Sequence, residues 1–296
     1  MSAFRVRRSM MMTPGHHADR LAKAVALDVD AVVFDLEDGV GPAEKPRARA
    51  TIGEALRALA FGRKERVVRV NAVGTPEIAA DLEALPFDRI DALFVPKVES
   101  ADQLRWLSRR LDRIEATREP GRRIDLIATV ETPRGLLNAL AIADARDRTS
   151  ALFFGSGDYA AETGAALTDS ALQVPRSLIV AAAAAARRQA IDAAFFTAVK
   201  DAEATRQDAL VARQLGLSGK LLFHPNQVAV VNEVFTPTPD EIARAEGIVA
   251  AFHKATCSGE GTAYVDGEFV ALDIALMAER TLAIARHAGV VSPRRS

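Results

Sequence analysis

Asp30-Ala31-Val32-Val33-Phe34-Asp35-Leu36-Glu37-Asp38-Gly39-Val40 decides how the chain reads. Ala31 to Phe34 are apolar without interruption, and three carboxylates follow at once before a glycine. A strand with no polar alternation must be covered on both faces, which is the condition of a parallel sheet flanked by helices. Acids placed directly after it sit where the strand ends, outside the core. The same texture recurs at residues 9–12, 31–35, 67–70, 92–95, 126–130, 151–154, 193–198 and 220–223. Helical patterns fill the gaps at 18–27, 44–59, 76–85, 101–117, 133–143, 175–189 and 202–215. Eight alternating units predict an α/β fold, a (β/α)8 barrel over residues 1–235. A doubly wound open sheet is the alternative, but no G-x-G-x-x-G or G-K-[ST] turn is present.

After residue 235 the texture changes. Thr238 or Asp240 caps a helix over 241–254. A glycine-rich stretch runs from Cys257 to Gly261, a hairpin surrounds Tyr264 to Phe269, and a last helix spans 272–287. Residues 236–296 are too few for a confident core of their own and read as a lid or oligomerisation arm.

Composition narrows the function. In 296 residues, 38 Lys and Arg face 39 Asp and Glu, a net charge of −1. That excludes a general nucleic-acid binder, which needs a basic stripe. Hydrophobic residues at 49% and charged ones at 26% describe a folded globule. One cysteine cannot form an internal disulfide, so a cytoplasmic setting is expected. No apolar run approaches the ~20 residues of a membrane span. The Arg5–Met12 start is too short for a signal peptide before Pro14-Gly15 ends it.

In a parallel barrel the working residues lie at the C-terminal strand ends. Glu131 and Asp158 end the fifth and sixth strands and would stand side by side. Two carboxylates with open positions suit Mg²⁺, which keeps waters and takes substrate oxygens. A capping role is the alternative for either. Gly155 and Gly157, flanking Ser156, let backbone approach a ligand closely. Arg69, on the third strand, points inward and needs an anion. Its partner is either a substrate carboxylate or enolate oxygen, or Glu37 or Asp38 on the neighbouring strand. His224 reads as a hydrogen-bonded residue closing the eighth strand. His16 and His17 have no companions for a zinc site.

These strand ends together resemble the citrate lyase β-subunit-like branch of the HpcH/HpaI aldolase family. The resemblance rests on Arg8-Ser9-Met10-Met11-Met12-Thr13-Pro14-Gly15, Asp19-Arg20-Leu21-Ala22-Lys23-Ala24, the Asp30–Val40 stretch, Val68-Arg69-Val70-Asn71, Val95-Pro96-Lys97-Val98-Glu99, Val130-Glu131-Thr132-Pro133-Arg134-Gly135, Phe153-Phe154-Gly155-Ser156-Gly157-Asp158 and His224-Pro225-Asn226-Gln227. It implies a TIM barrel with a C-terminal lid, assembled as trimers or hexamers. It implies Glu131 and Asp158 as Mg²⁺ ligands and Arg69 at the substrate carboxylate or the enolate-forming carbonyl. Arg20 and Lys23 match the residues that meet coenzyme A phosphates in relatives. The implied reaction is reversible carbon–carbon cleavage of a malyl- or citramalyl-type 3-hydroxyacyl-CoA to a 2-oxo acid and an acyl-CoA.

One departure bears on the chemistry. Relatives often carry an aspartate acid/base four residues after a glycine in the C-terminal element, and Ala271 matches that position. The nearest acid is Asp273. A two-residue helical shift rotates a side chain about 200°, which predicts Asp273 on the other face. If neither residue serves, the base lies in the barrel, with Glu37, Asp38 or a Mg²⁺-bound water next in line. An aldolase for a free 2-oxo acid, a thioesterase and a non-catalytic acid- or CoA-binding relative are the competing readings.

Overall fold

The computed structural model describes residues 5–117, 123–146, 148–193 and 199–291. Residues 7–232 form one compact unit, and residues 233–291 belong to a second. The first runs β1 (Ser9–Pro14), α1 (Ala18–Ala26), β2 (Ala31–Asp35), α2 (Lys45–Ala58), β3 (Glu65–Arg69), α3 (Pro76–Ala84), β4 (Ala92–Val95), α4 (Ala101–Ala116), β5 (Asp125–Val130), α5 (Pro133–Leu137), α6 (Ala139–Ala143), β6 (Thr149–Phe154), α7 (Ser156–Thr163), α8 (Asp169–Ala185), β7 (Gln189–Ala193), α9 (Ala202–Leu215) and β8 (Lys220–Leu222). The strands are parallel neighbours in chain order, and β1 pairs with both β2 and β8, so the sheet closes into the expected (β/α)8 barrel.

Side-chain alternation then sorts the apolar residues into two layers. Met10, Met12, Ala31, Val33, Val67, Phe94, Ile127, Phe153, Ile191 and Leu221 share one cluster and fill the barrel. The intervening Val32, Phe34, Val68, Leu93, Leu126, Leu152 and Phe154 are buried as well, as the layer under the helices. This double coverage is why the strands read as unbroken apolar runs. Burying each such side chain contributes about 1.5–3 kcal/mol. Charge closes the N-terminal end. The buried Arg7 guanidinium donates to Glu65 at 2.6 and 2.8 Å, to Gln189 at 2.9 Å and to Ser150 at 3.1 Å. It thereby ties the starts of β3, β6 and β7.

The seventh strand, expected over 193–198, begins four residues earlier. It occupies Gln189–Ala193, and residues 194–198 lie outside the described residues. A buried aspartate disguises it. Asp192 accepts from Lys220 at 2.8 Å and pairs with Arg176 at 2.9 Å, while Lys220 also reaches Asp208 at 2.6 Å. Buried charges tolerated by mutual pairing interrupt the apolar pattern that marks other strands. The helix expected over 175–189 is Asp169–Ala185, capped by Thr168, with Pro175 inside it. The expected 133–143 helix is broken at Asn138, whose side chain donates to the Glu99 carbonyl at 2.8 Å. α7 was not anticipated. Neither was α10 (Asn226–Phe235), which follows β8.

In the second unit, α11 (Pro239–Cys257) opens with a capping box between Thr238 and Glu241. β9 (Ala263–Val265) and β10 (Glu268–Val270) form a hairpin through Asp266 and Gly267, both at positive φ, the backbone of a primed turn. α12 (Leu272–His287) follows. Ala245, Ile248, Val270, Ala278 and Leu282 make a small core of their own. Ala271 is the N-cap of α12, with extended backbone (φ −109°, ψ −177°). It is therefore not a helical residue, and the rotation expected to separate it from Asp273 does not apply.

Candidate active site

The stretch Asp35–Gly39 folds back on its own first carboxylate. Asp35 accepts the amides of Glu37 at 2.8 Å and Gly39 at 2.9 Å. A Cβ at residue 39 would collide with Asp35 Oδ2, so glycine lets the amide approach the carboxylate without displacing it. On its other side Asp35 receives Arg69 through two parallel bonds, Nε to Oδ1 at 2.6 Å and Nη2 to Oδ2 at 2.7 Å. Arg69 Nη1 pairs with Glu37 Oε2 at 3.0 Å. Lys97, after β4, places Nζ 2.8 Å from Glu37 Oε1 and 3.1 Å from Asp38 Oδ2. Its backbone amide donates to Glu131 Oε1 at 2.8 Å.

A cavity of about 590 Å³ opens beside this ladder. Arg69, Glu131, Gly155, Ser156, Gly157 and Asp158 form its polar wall; Phe153, Leu221 and Phe223 contribute to the apolar one. Glu131 immediately follows β5, and Asp158 sits in the first turn of α7. Gly155 is packed against Glu131: a Cβ there would lie 2.6 Å from Oε2. The glycine thus makes room for a buried carboxylate facing the cavity.

Electrostatics mark Glu131. Burial first, and the charge of Asp158 second, push its carboxyl up to about 8, against the opposing pull of the Lys97 amide. Asp38 behaves oppositely: burial works upward, but the Lys97 ammonium outweighs it and holds the carboxyl below its ordinary value. Burial disfavours charge on Arg69 too, yet Asp35 and Glu37 raise its pKa further still.

Glu131, buried and facing the charge of Asp158, holds its proton more tightly than an ordinary carboxyl, so a cation arriving between the two acids would be favoured. Two hard oxygen donors, a glycine cradle and open space fit Mg²⁺, which retains waters or substrate oxygens in its other positions. Among the described residues no group of three or more His, Cys, Asp or Glu could hold a metal, so a ligand-rich zinc- or calcium-type centre is not offered.

Most residues expected from the sequence do converge here. Arg69, Glu131, Asp158 and the Gly155–Gly157 stretch share one cavity. Within the protein Arg69 takes Asp35 as its main partner, with Glu37 second; of the two protein partners expected, Glu37 is engaged and Asp38 is not, and Asp35 is added. Both oxygens of Glu37 are engaged by cations, a poor setting for a general base. Asp38 is largely exposed and bound to Lys97. Arg20 and Lys23 are exposed on α1, Lys23 opposite Asp19 at 3.5 Å. His224 Nδ1 accepts from the Asn226 amide at 3.2 Å. Asp35 and Lys97 went unassigned, although both stood at strand ends. Lys97 escaped because its contact with Glu131 is made by backbone, which residue type does not encode.

The HpcH/HpaI aldolase/citrate lyase family model matches residues 8–225. Citrate lyase subunit beta of Leuconostoc mesenteroides subsp. cremoris is 34% identical over 290 residues, covering 96% of this chain and 95% of the relative. A (3S)-malyl-CoA thioesterase of Cereibacter sphaeroides is 37% identical over 278 residues, 93% of each chain. The crystal structure of the protein CitE from Mycobacterium tuberculosis in complex with magnesium, acetoacetate and coenzyme A superposes with a TM-score of 0.73 at 33% identity, covering 96% of this chain and 98% of that one. With eight parallel strands closed into a barrel and homology along nearly its whole length, the chain belongs to the HpcH/HpaI aldolase/citrate lyase family.

Proposed function

We propose that this chain is a Mg²⁺-dependent carbon–carbon lyase acting on a malyl- or citramalyl-type 3-hydroxyacyl-CoA. The observation that carries the reading is the Glu131–Asp158 pair on the wall that also holds Arg69. Glu131 and Asp158 would hold the metal. Bound there, Mg²⁺ supplies a Lewis acid for the carboxylate and hydroxyl oxygens of the fragment that becomes the 2-oxo acid.

Arg69 stabilises the other fragment. Cleavage removes the hydroxyl proton, breaks the bond between the carbinol carbon and the methylene beside the thioester, and leaves its electron pair as an enolate. A proton delivered to that methylene carbon then completes the acyl-CoA. Enolate charge develops on the thioester oxygen, where a preorganised cation lowers the barrier. Asp35 takes two of the five guanidinium N–H groups and Glu37 pairs with Nη1, while the guanidinium still lines the cavity where substrate would lie. The first amides of α7, at Ser156 and Gly157, favour an anionic substrate group. Arg20 and Lys23 are exposed cations suited to the phosphates of coenzyme A. We further place the protein in the cytoplasm as a homotrimer or hexamer. Its cysteine is free, and among the described residues no helix is long and apolar enough to cross a membrane.

A screen of malyl- and citramalyl-CoA, with and without Mg²⁺, tests the reading when free thiol and 2-oxo acid are measured together. Metal-dependent 2-oxo acid without thiol is the expected result. Thiol without 2-oxo acid would make the protein a thioesterase. Turnover confined to free hydroxy-oxo acids would make it an aldolase, and binding without turnover a non-catalytic relative.

A further inference from the structure

The bend after β4 does work that its residue type conceals. Lys97 has φ +51°, the left-handed region, which glycine adopts freely and a residue with a Cβ adopts at a cost. Both sides hold it there. Pro96 precedes it with a restricted φ, and the Val98 amide donates to the Thr129 carbonyl of β5 at 3.0 Å. In that conformation the Lys97 N–H meets Glu131 Oε1 at 2.8 Å. The terminal torsion of a glutamate is otherwise broad, so an unheld carboxylate samples a wide range of oxygen positions. With Oε1 taken, Oε2 stays on the Gly155 side. The lysine side chain explains why glycine does not stand here: its ammonium is bound at 2.8 Å to Glu37 and at 3.1 Å to Asp38, contacts that offset the strained backbone.

We propose that Lys97 is a positioning residue of the metal site, whose left-handed backbone aims its amide at Oε1 of Glu131 and leaves Oε2 as the oxygen free to bind Mg²⁺. This rests on Glu131 and Asp158 being the metal ligands, as proposed above. The contact belongs to the main chain, so the side chain and the amide are separable.

The test is calorimetric Mg²⁺ affinity of the full-length protein, with a thermal melt of each variant. Replacing residue 97 by the α-hydroxy analogue of lysine puts an ester oxygen where the amide was and keeps the ammonium. This variant is expected to bind Mg²⁺ about tenfold or more weakly, as loss of a partner to a metal ligand does. Lys97→Val, whose β-branch disfavours the left-handed region, is expected to weaken it likewise and serves if the ester variant does not fold. Lys97→Met and Lys97→Gly, which keep the amide, should stay within about threefold of wild type, well under that loss. Wild-type affinity in both the ester and valine variants overturns the proposal, as does a Lys97→Met loss equal to theirs. Glu131→Gln run alongside separates the two levels: unchanged affinity there removes the metal assignment itself, whereas a loss there with none in the ester variant removes Lys97 alone.

Discussion

At the scale of single residues, Glu131 makes the sharpest prediction. Its folded value of about 8 lies above the ordinary 4.5, so the native state binds the extra proton between those limits. Stability without metal should therefore be fully present below about pH 4.5 and decline as pH rises toward 8, by an amount on the order of 2–4 kcal/mol. Melts in chelator at pH 5 and pH 8 check this, and Glu131→Gln should flatten the difference. Mg²⁺ must displace that proton, so binding at neutral pH should release it; calorimetry in two buffers of unequal ionisation enthalpy reads the proton directly. Arg69 makes a second prediction. Arg69→Lys loses the two-bond fork on Asp35 and should cut kcat/KM by more than about 100-fold, about 2.7 kcal/mol, with Mg²⁺ affinity little changed. A large fall in melting temperature with full activity in the folded fraction would assign Arg69 to the fold alone.

At the scale of elements, strand ends were legible because burial on both faces writes an unbroken apolar run and polarity resumes where the strand stops. That logic brings Glu131, Asp158 and Arg69 to one end of the barrel from the sequence alone. It missed the start of β7, where Asp192 is buried against Lys220 and Arg176 and so breaks the apolar signal. It failed again at Lys97, whose contribution to Glu131 is conformational. The start of α12 repeats the lesson. Ala271 caps this helix with no side-chain acceptor, and Ala271→Asp should supply one, raising the melting stability of residues 233–291 by about 1 kcal/mol. If the reaction takes its acid/base from this position, the same change should raise thioester turnover by about 10²–10⁴-fold, while Asp273→Ala changes little. Stabilisation without a gain in turnover would separate the cap from the catalyst. Loss of activity in Asp273→Ala would show that Asp273 is the acid/base.

At the scale of the whole molecule, the proposed trimer or hexamer draws on the apolar residues that α12 and its hairpin leave uncovered in this chain. Tyr264, Phe269, Leu272, Leu276 and Met277 are each more than half exposed. Apolar surface gathered on one small unit marks an association site more often than chance exposure. Sedimentation should find an oligomer in the wild type and monomers when Phe269 and Leu276 are both changed to serine. The central claim concerns the barrel: that Glu131 and Asp158 hold the Mg²⁺ on which carbon–carbon cleavage depends. Its most direct test is the rate of 2-oxo acid release from malyl- or citramalyl-CoA as Mg²⁺ is titrated, in wild type and Glu131→Gln side by side. Release should rise with metal in the wild type, vanish in chelator and fall by about 100-fold or more in the variant. Release that is equal in the two proteins, or undiminished in chelator, would contradict the account.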